Sequence, residues 1–434
     1  MASAFPSFVK SHASSTTVTL RDLGILWSGL LIATAIVHRA YSFQTTSPLL
    51  EMLRQSGAII LFAQLAFLLW ALRGGWSPLA QWRNLPWPVQ LLGLWFATTF
   101  WLSSAFYSPI SAFASLLCVG TLIQIGFAFA LSDRLAVTHA DSVSHMQTAM
   151  CVGLTVVAIL TTVHFWSATD ANLALGEVIV WQASIPGFIS VRLFGAVCGA
   201  LLTLIVASAL MRKDNRHQLF HMAVIIFMSG LTVWTGTRAA VVGLFGALLI
   251  GFVLLRVRPP VGRSVKVVLC IAVGALLGPL FAPTGDPVFQ LFAPQDYSTP
   301  NGTSSGRMAM WRAMFGAFAE SPVFGLGSGS SRWAMPPEMA RHVQPHNFVV
   351  QFLSDWGLAG AIPAFALLGY ATFKAHLIGR RIPIIVPIII MLDALLIMAL
   401  FDGILHFARE TTMVMMCFAI IFASDRQSRM SVSA

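Results

Sequence analysis

The chain has 434 residues, of which 57% are hydrophobic and only 10% charged, with a formal net charge of +10. That balance excludes a soluble enzyme built on one large core and describes a polytopic membrane protein. The cations fall mostly in short loops between apolar runs, where they act as orientation signals and anionic-lipid contacts, so nucleic acid is not an expected partner.

Residues 1–21 hold no apolar core of signal-peptide length, so they are expected as a cytoplasmic tail, with the first span serving as the insertion signal. Apolar windows of spanning length lie near 22–38, 49–72, 87–107, 109–131, 147–167, 191–211, 217–236, 238–256, 264–281, 346–372, 383–402 and 404–424. The expected fold is therefore an all-α integral membrane protein of about twelve transmembrane helices. Helices 1–9 occupy 22–281, one large outer loop with short amphipathic helices occupies 282–345, helices 10–12 occupy 346–424, and a tail follows at 425–434. Cys118, Cys151, Cys198, Cys270 and Cys417 all lie in apolar runs without paired spacing, which favours neither a disulfide framework nor a thiolate metal site.

With the N-terminus inside, 17 of the 26 Lys and Arg residues face the cytoplasm and 9 face outward, which predicts both termini in the cytoplasm. Every lysine falls on the inner side. Every outer cation is an arginine, whose planar fork grips phosphate or carboxylate through two parallel bonds. Arg192 and Arg238 stand at the mouths of spans, where an arginine can snorkel to the interface; position alone leaves both an anchor and a ligand open. A second outer segment, 168–190, contains Asp170, Glu177 and Trp181 and no basic residue. No internal repeat relates the two halves, which counts against an inverted-repeat transporter.

The large outer segment balances Arg307, Arg312, Arg332 and Arg341 against Asp286, Asp296, Glu320 and Glu338, so its arginines call for local pairing or a bound anion. Gly306 to Glu320 reads as a short helix with Met308, Trp311, Phe315 and Phe318 on one apolar face, suited to lying on a membrane. Arg307 and Arg312 are about 140° apart around that helix and are not expected to share one phosphate. Gly325 to Gly329 lacks the lysine and strand of a P-loop and reads as a flexible connection. His346 follows Pro345 and is expected in the first turn of the next helix. Asp355 lies about 180° around that helix and cannot orient the imidazole, while the proline between His342 and His346 argues against a shared metal-binding face. Two readings of His346 stay open: a hydrogen-bonding residue at a helix start, or a general base among phosphate-gripping arginines.

The order of these features resembles the bacterial O-antigen ligase and polymerase superfamily. It runs from Arg192 and Gly195 through Thr237-Arg238, Arg307, Trp311 and Glu320-Ser321-Pro322-Val323-Phe324-Gly325-Leu326-Gly327. It closes with His346-Asn347-Phe348 and Asp355-Trp356-Gly357-Leu358-Ala359-Gly360, so the resemblance covers roughly residues 190–410. It implies a GT-C-like membrane glycosyltransferase of the inner membrane, acting on the periplasmic face, metal-independent, inverting and without a cofactor. The implied donor is a glycan on undecaprenyl diphosphate. Ligases transfer it to a sugar hydroxyl of lipid A-core, whereas polymerases extend another lipid-linked repeat. Length and the single large loop look most similar to the ligases. Carried onto this sequence, the resemblance implies His346 as the base, Arg238 and Arg307 on the diphosphate, and Arg192 and Asn347 as further substrate contacts.

Overall fold

A computed structural model describes residues 57–136, 191–211, 218–281, 307–335 and 344–433, with parts of 152–163. The expected span at 22–38, the start of 49–72, most of 147–167, the segment 168–190, and loop residues 282–306 and 336–343 (with His342 and Arg341) lie outside the described residues.

Helices α1 (Ala58–Arg73), α2 (Pro78–Arg83), α3 (Trp87–Leu102) and α4 (Ser111–Ala136) come first, α3 passing into a π-helical turn at Ser103–Tyr107. They are followed by α5 (Val191–Met211), α6 (Gln218–Trp234), α7 (Arg238–Leu254) and α8 (Val261–Leu277). After the large loop begins come α9 (Arg307–Glu320) and the short α10 (Ser331–Ala334), then α11 (Phe348–Arg381), α12 (Val386–Ala399) and α13 (Ala408–Ser433). Among the described residues there is no strand. Four stretches, Trp87–Tyr107, Ser111–Ala136, Arg192–Met211 and Phe348–Arg381, are long and apolar enough to cross a membrane, and shorter apolar helices accompany them. The chain is a multi-pass membrane protein.

Helices α5 and α12 form the centre. Leu204, Ile205, Ile388, Ile389 and Leu392 are completely buried, and α12 packs against α5, α7 and α13. Helices α3 and α4 stand to one side, where Phe100, Phe352 and Trp356 build an aromatic cluster with ring centroids 4.1 and 4.7 Å from Trp356.

Helix α11 is broken at Gly357, whose φ of 59° and ψ of −168° belong to a region open essentially to glycine alone. A broken helix leaves backbone groups that a membrane interior cannot solvate. The glycine-rich segment 321–330 supplies their partners. Leu326 and Gly327 donate to the carbonyls of Ser354 (2.8 Å) and Asp355 (2.7 Å), while Leu358 and Ala359 donate to Pro322 (2.8 Å) and Val323 (2.9 Å). Ser103 Oγ, from the π-helical turn, donates to the carbonyls of Phe324 and Asp355. The run expected as a flexible connection is thus a fixed strap across a helix break. A Cβ at Gly357 would lie 2.3 Å from the Val323 carbonyl oxygen. Gly357→Ala is therefore expected to destabilise the solubilised protein by at least about 2 kcal/mol, read as a fall in its thermal unfolding midpoint.

Two sequence expectations change, those for the last span and for His346. The span expected at 404–424 begins at Ala408, because 400–407 forms a loop, and the helix continues through Ser433 where a tail was expected. In α9, Met308 and Phe315 are exposed, in keeping with an apolar face that lies on a membrane, while Met310 and Met314 pack on the protein against Met335 and Val350. His346 precedes its helix: the helix starts at Phe348, and His346 has a left-handed φ of 55°.

Candidate active site

The starts of α5, α7, α9 and α11 and the α12–α13 loop meet at one end of the bundle. Gly195 is what lets α5 approach the α6–α7 turn. A Cβ there would lie 2.0 Å from Thr237 Oγ1 and 2.1 Å from Thr235 Oγ1. Those hydroxyls are 3.0 Å apart, and Thr237 Oγ1 donates to the Arg192 carbonyl at 3.3 Å. The spacing Arg192–Gly195 and the sequence Thr235-Gly236-Thr237-Arg238 thus describe one packing event that sets two arginines side by side.

Arg307, at the first position of α9, completes the group. It interacts electrostatically with Asp402, Arg192 and Arg238. Burial, followed by the like charges of Arg192 and Arg238, lowers its guanidinium from the ordinary value against the opposing pull of Asp402. A guanidinium stays cationic at neutral pH regardless, so the cluster concentrates positive charge. Among the described residues no carboxylate lies within 4.0 Å of these three arginines. Arg312 is exposed and is not among the charges acting on Arg307. Of Arg332 only the backbone is described.

His346 is held on three sides. Trp311 Nε1 of α9 donates to the Pro345 carbonyl at 2.8 Å. The His346 backbone N–H donates to Gln344 Oε1 at 2.5 Å, which places Gln344 Nε2 3.0 Å from the ring Nδ1. On the other side Nδ1 lies 3.0 Å from Asp402 Oδ1. Asp402 is 3% exposed and also accepts the Gly403 N–H at 2.8 Å. Burial alone would raise its carboxyl, but the hydrogen bond and charge of His346, the Gly403 N–H and the charge of Arg307 together hold it below its ordinary value. Nδ1 thus faces an acceptor, the Asp402 carboxylate, and a donor, the Gln344 NH₂; the charged carboxylate is the stronger partner and draws the ring proton to Nδ1, which leaves Nε2 as the nitrogen that can take up another.

Asp402 escaped the sequence reading, which ended a span on it and sought an orienter nearer His346. Asp355 does not face His346: it accepts from Ser331 Oγ at 3.1 Å and from Gly329 and Gln351, tying the strap to α11. Asn347 caps α11, its Oδ1 accepting the N–H groups of Val349 (2.9 Å) and Val350 (3.2 Å). The structure therefore gives Asn347 a positioning role beside His346. A second histidine, His406, shares the loop with Asp402, and its Nδ1 lies 2.9 Å from Gln351 Nε2. Burial, and then the charge of His346, push its imidazole down to about 4. Among the described residues no three His, Cys, Asp or Glu side chains gather as metal ligands.

Residues 223–365 match the O-antigen ligase family model. The match runs from α6 to the middle of α11 and takes in Arg238, Arg307, His346 and Asn347; Arg192, Asp402 and His406 fall outside it. No curated protein matched the chain.

Proposed function

We propose, from the O-antigen ligase domain at residues 223–365, that the chain transfers a glycan from a polyprenyl diphosphate to a sugar hydroxyl of lipid A-core at the periplasmic face of the inner membrane. The observation that carries this reading is Arg307, which interacts electrostatically with Arg192 and Arg238 on one side and with Asp402, the partner of His346, on the other. The arginine cluster suits a diphosphate, whose oxygens accept paired N–H donors and relieve the mutual repulsion of the guanidinium groups. Beside it, His346 Nε2 takes the proton of the attacking hydroxyl as that oxygen bonds to the anomeric carbon. The bond from that carbon to the diphosphate oxygen breaks, the arginines take up the developing charge, and the anomeric configuration inverts. Asp402 stabilises the imidazolium formed and keeps Nε2 turned toward the acceptor.

A transporter of anionic lipids would need charges deep in the spans. Asp393, the deep carboxylate of α12, faces His376 Nε2 of α11 at 3.1 Å and is 4% exposed, which supports a local pair rather than a transport path. The test supplies the purified, reconstituted chain with a polyprenyl-diphosphate glycan and either lipid A-core or a second lipid-linked repeat. Consumption of lipid A-core is the expected result. Consumption of the repeat alone would make the protein a polymerase, and movement of donor between leaflets without a new glycosidic bond would overturn the enzyme reading.

A further inference from the structure

Outside the arginine cluster lies a cavity of about 1870 Å³ between α1, α3 and α4 on one side and α11 and α13 on the other. Its walls are mostly apolar, including Phe96, Phe100, Phe352 and Trp356. It extends from Lys374, Arg380 and Arg429, toward the C-terminal ends of α11 and α13, to Ser328, Gln351 and His406 at the end where His346 sits. Arg192, Arg238, Arg307 and His346 do not line it. The cavity is thus an apolar approach to the same end of the bundle, separate from the arginine cluster. The apolar approach has the dimensions and chemistry of a lipid path, and its far end carries Lys374 and Arg380 beside an Arg381–Asp425–Arg429 ion-pair group.

His406 stands where the apolar approach ends. Its tautomer follows from its neighbours without reference to its own titration. Gln351 hydrogen-bonds the Asp355 carboxylate, which fixes its amide NH₂ as the group on that side. The same nitrogen lies 2.9 Å from His406 Nδ1, so Nδ1 accepts and Nε2 carries the ring proton. His406 is therefore a fixed neutral donor on the cavity wall, four residues after Asp402 in the same loop. The loop carries the group that orients the base on one side and this donor on the other.

We propose that His406 binds the acceptor: the cavity takes the acceptor's lipid anchor, and His406 Nε2–H donates to an oxygen of its head group, presenting the acceptor hydroxyl to His346. This rests on the transferase reading above, with the diphosphate donor on the arginine side. Lipid A-core is the probe. It is titrated, in the absence of donor, against His346→Gln protein, which retains the cavity, with and without His406→Phe or His406→Gln. Loss of one neutral hydrogen bond in His406→Phe is expected to weaken lipid A-core binding about tenfold, with donor binding in the same preparation within about twofold. Glutamine, whose amide reaches the Nε2 position, should restore most of the affinity. In the turnover-competent background the same change should appear in the KM for acceptor and not in that for donor. Equal weakening of donor and acceptor would make His406 merely structural, and unchanged acceptor binding in His406→Phe would remove it from the site. Either outcome overturns the proposal while leaving the transferase reading intact; that reading instead falls if the unaltered protein moves donor between leaflets without forming a glycosidic bond.

Discussion

Replacing His346 by glutamine lowers glycan transfer by about 10²–10⁴-fold while donor binding stays within about threefold, because a general base acts on the transition state and adds little to ground-state binding. The amide fills the imidazole's volume and can still hydrogen-bond Asp402, yet it has no lone pair basic enough to take a proton. The surroundings that hold His346 should survive the change. Gln344 and Trp311 fix the backbone at Pro345 and His346 independently of the ring, and Asn347 continues to cap α11. The measurement is a single-turnover rate on reconstituted protein, alongside equilibrium binding of the donor. A His346→Gln protein with full transfer would remove the histidine from the chemistry.

Exchanging Arg307 or Arg238 for lysine is expected to cost about 10²-fold in transfer, whereas Arg312→Lys changes the rate by less than about twofold. Charge is conserved in all three variants, so the comparison isolates geometry: an ammonium is a point charge and cannot hold two phosphate oxygens in a plane. The three positions differ in surroundings. Arg307 is half-buried and Arg238 is exposed, but each acts on the other's charge, whereas Arg312, exposed on the same helix as Arg307, is not among the charges acting on it. For Arg307 the cost should appear in kcat more than in the donor KM, since the diphosphate gains charge as the glycan departs. Equal rates for Arg307→Lys and wild type would reduce that arginine to a membrane-surface anchor.

What the sequence disclosed follows from where its signals are local. Arg192 with Gly195 and Thr237 with Arg238 were visible as two short stretches whose joint use only the family resemblance implied; the contact of Gly195 with Thr235 and Thr237, about 40 positions away, was not legible. His346 was legible through its neighbours Pro345 and Asn347. Asp402 was not, because the pairing joins residues 56 positions apart and the carboxylate sits at the end of an apolar run that hydropathy extends straight through. The local hint was the Asp402-Gly403 pair followed by His406, Arg409 and Glu410, too polar a stretch for the start of a span. The break at Gly357 was hidden likewise: apolar residues continue on both sides of it, and the strap that satisfies its backbone comes from a loop 30 or so residues earlier. Asp355 does stay away from His346, but not through helical angle, since His346 stands before the helix; Asp355 instead anchors that strap, which spacing along a helix could not disclose.

The account's central claim is that His346 and Asp402 act as one unit beside the arginine cluster. A double-mutant cycle on single-turnover transfer tests it most directly, with His346→Gln, Asp402→Asn and the two combined. Asp402→Asn should cost at least about tenfold, because an amide neither stabilises the imidazolium nor fixes the Nδ1–H tautomer. Once His346 is glutamine, adding Asp402→Asn should change the remaining rate by less than about threefold, since groups acting as a unit are lost together. Multiplication of the two single losses in the double variant would show that Asp402 acts independently of His346 and would contradict the account.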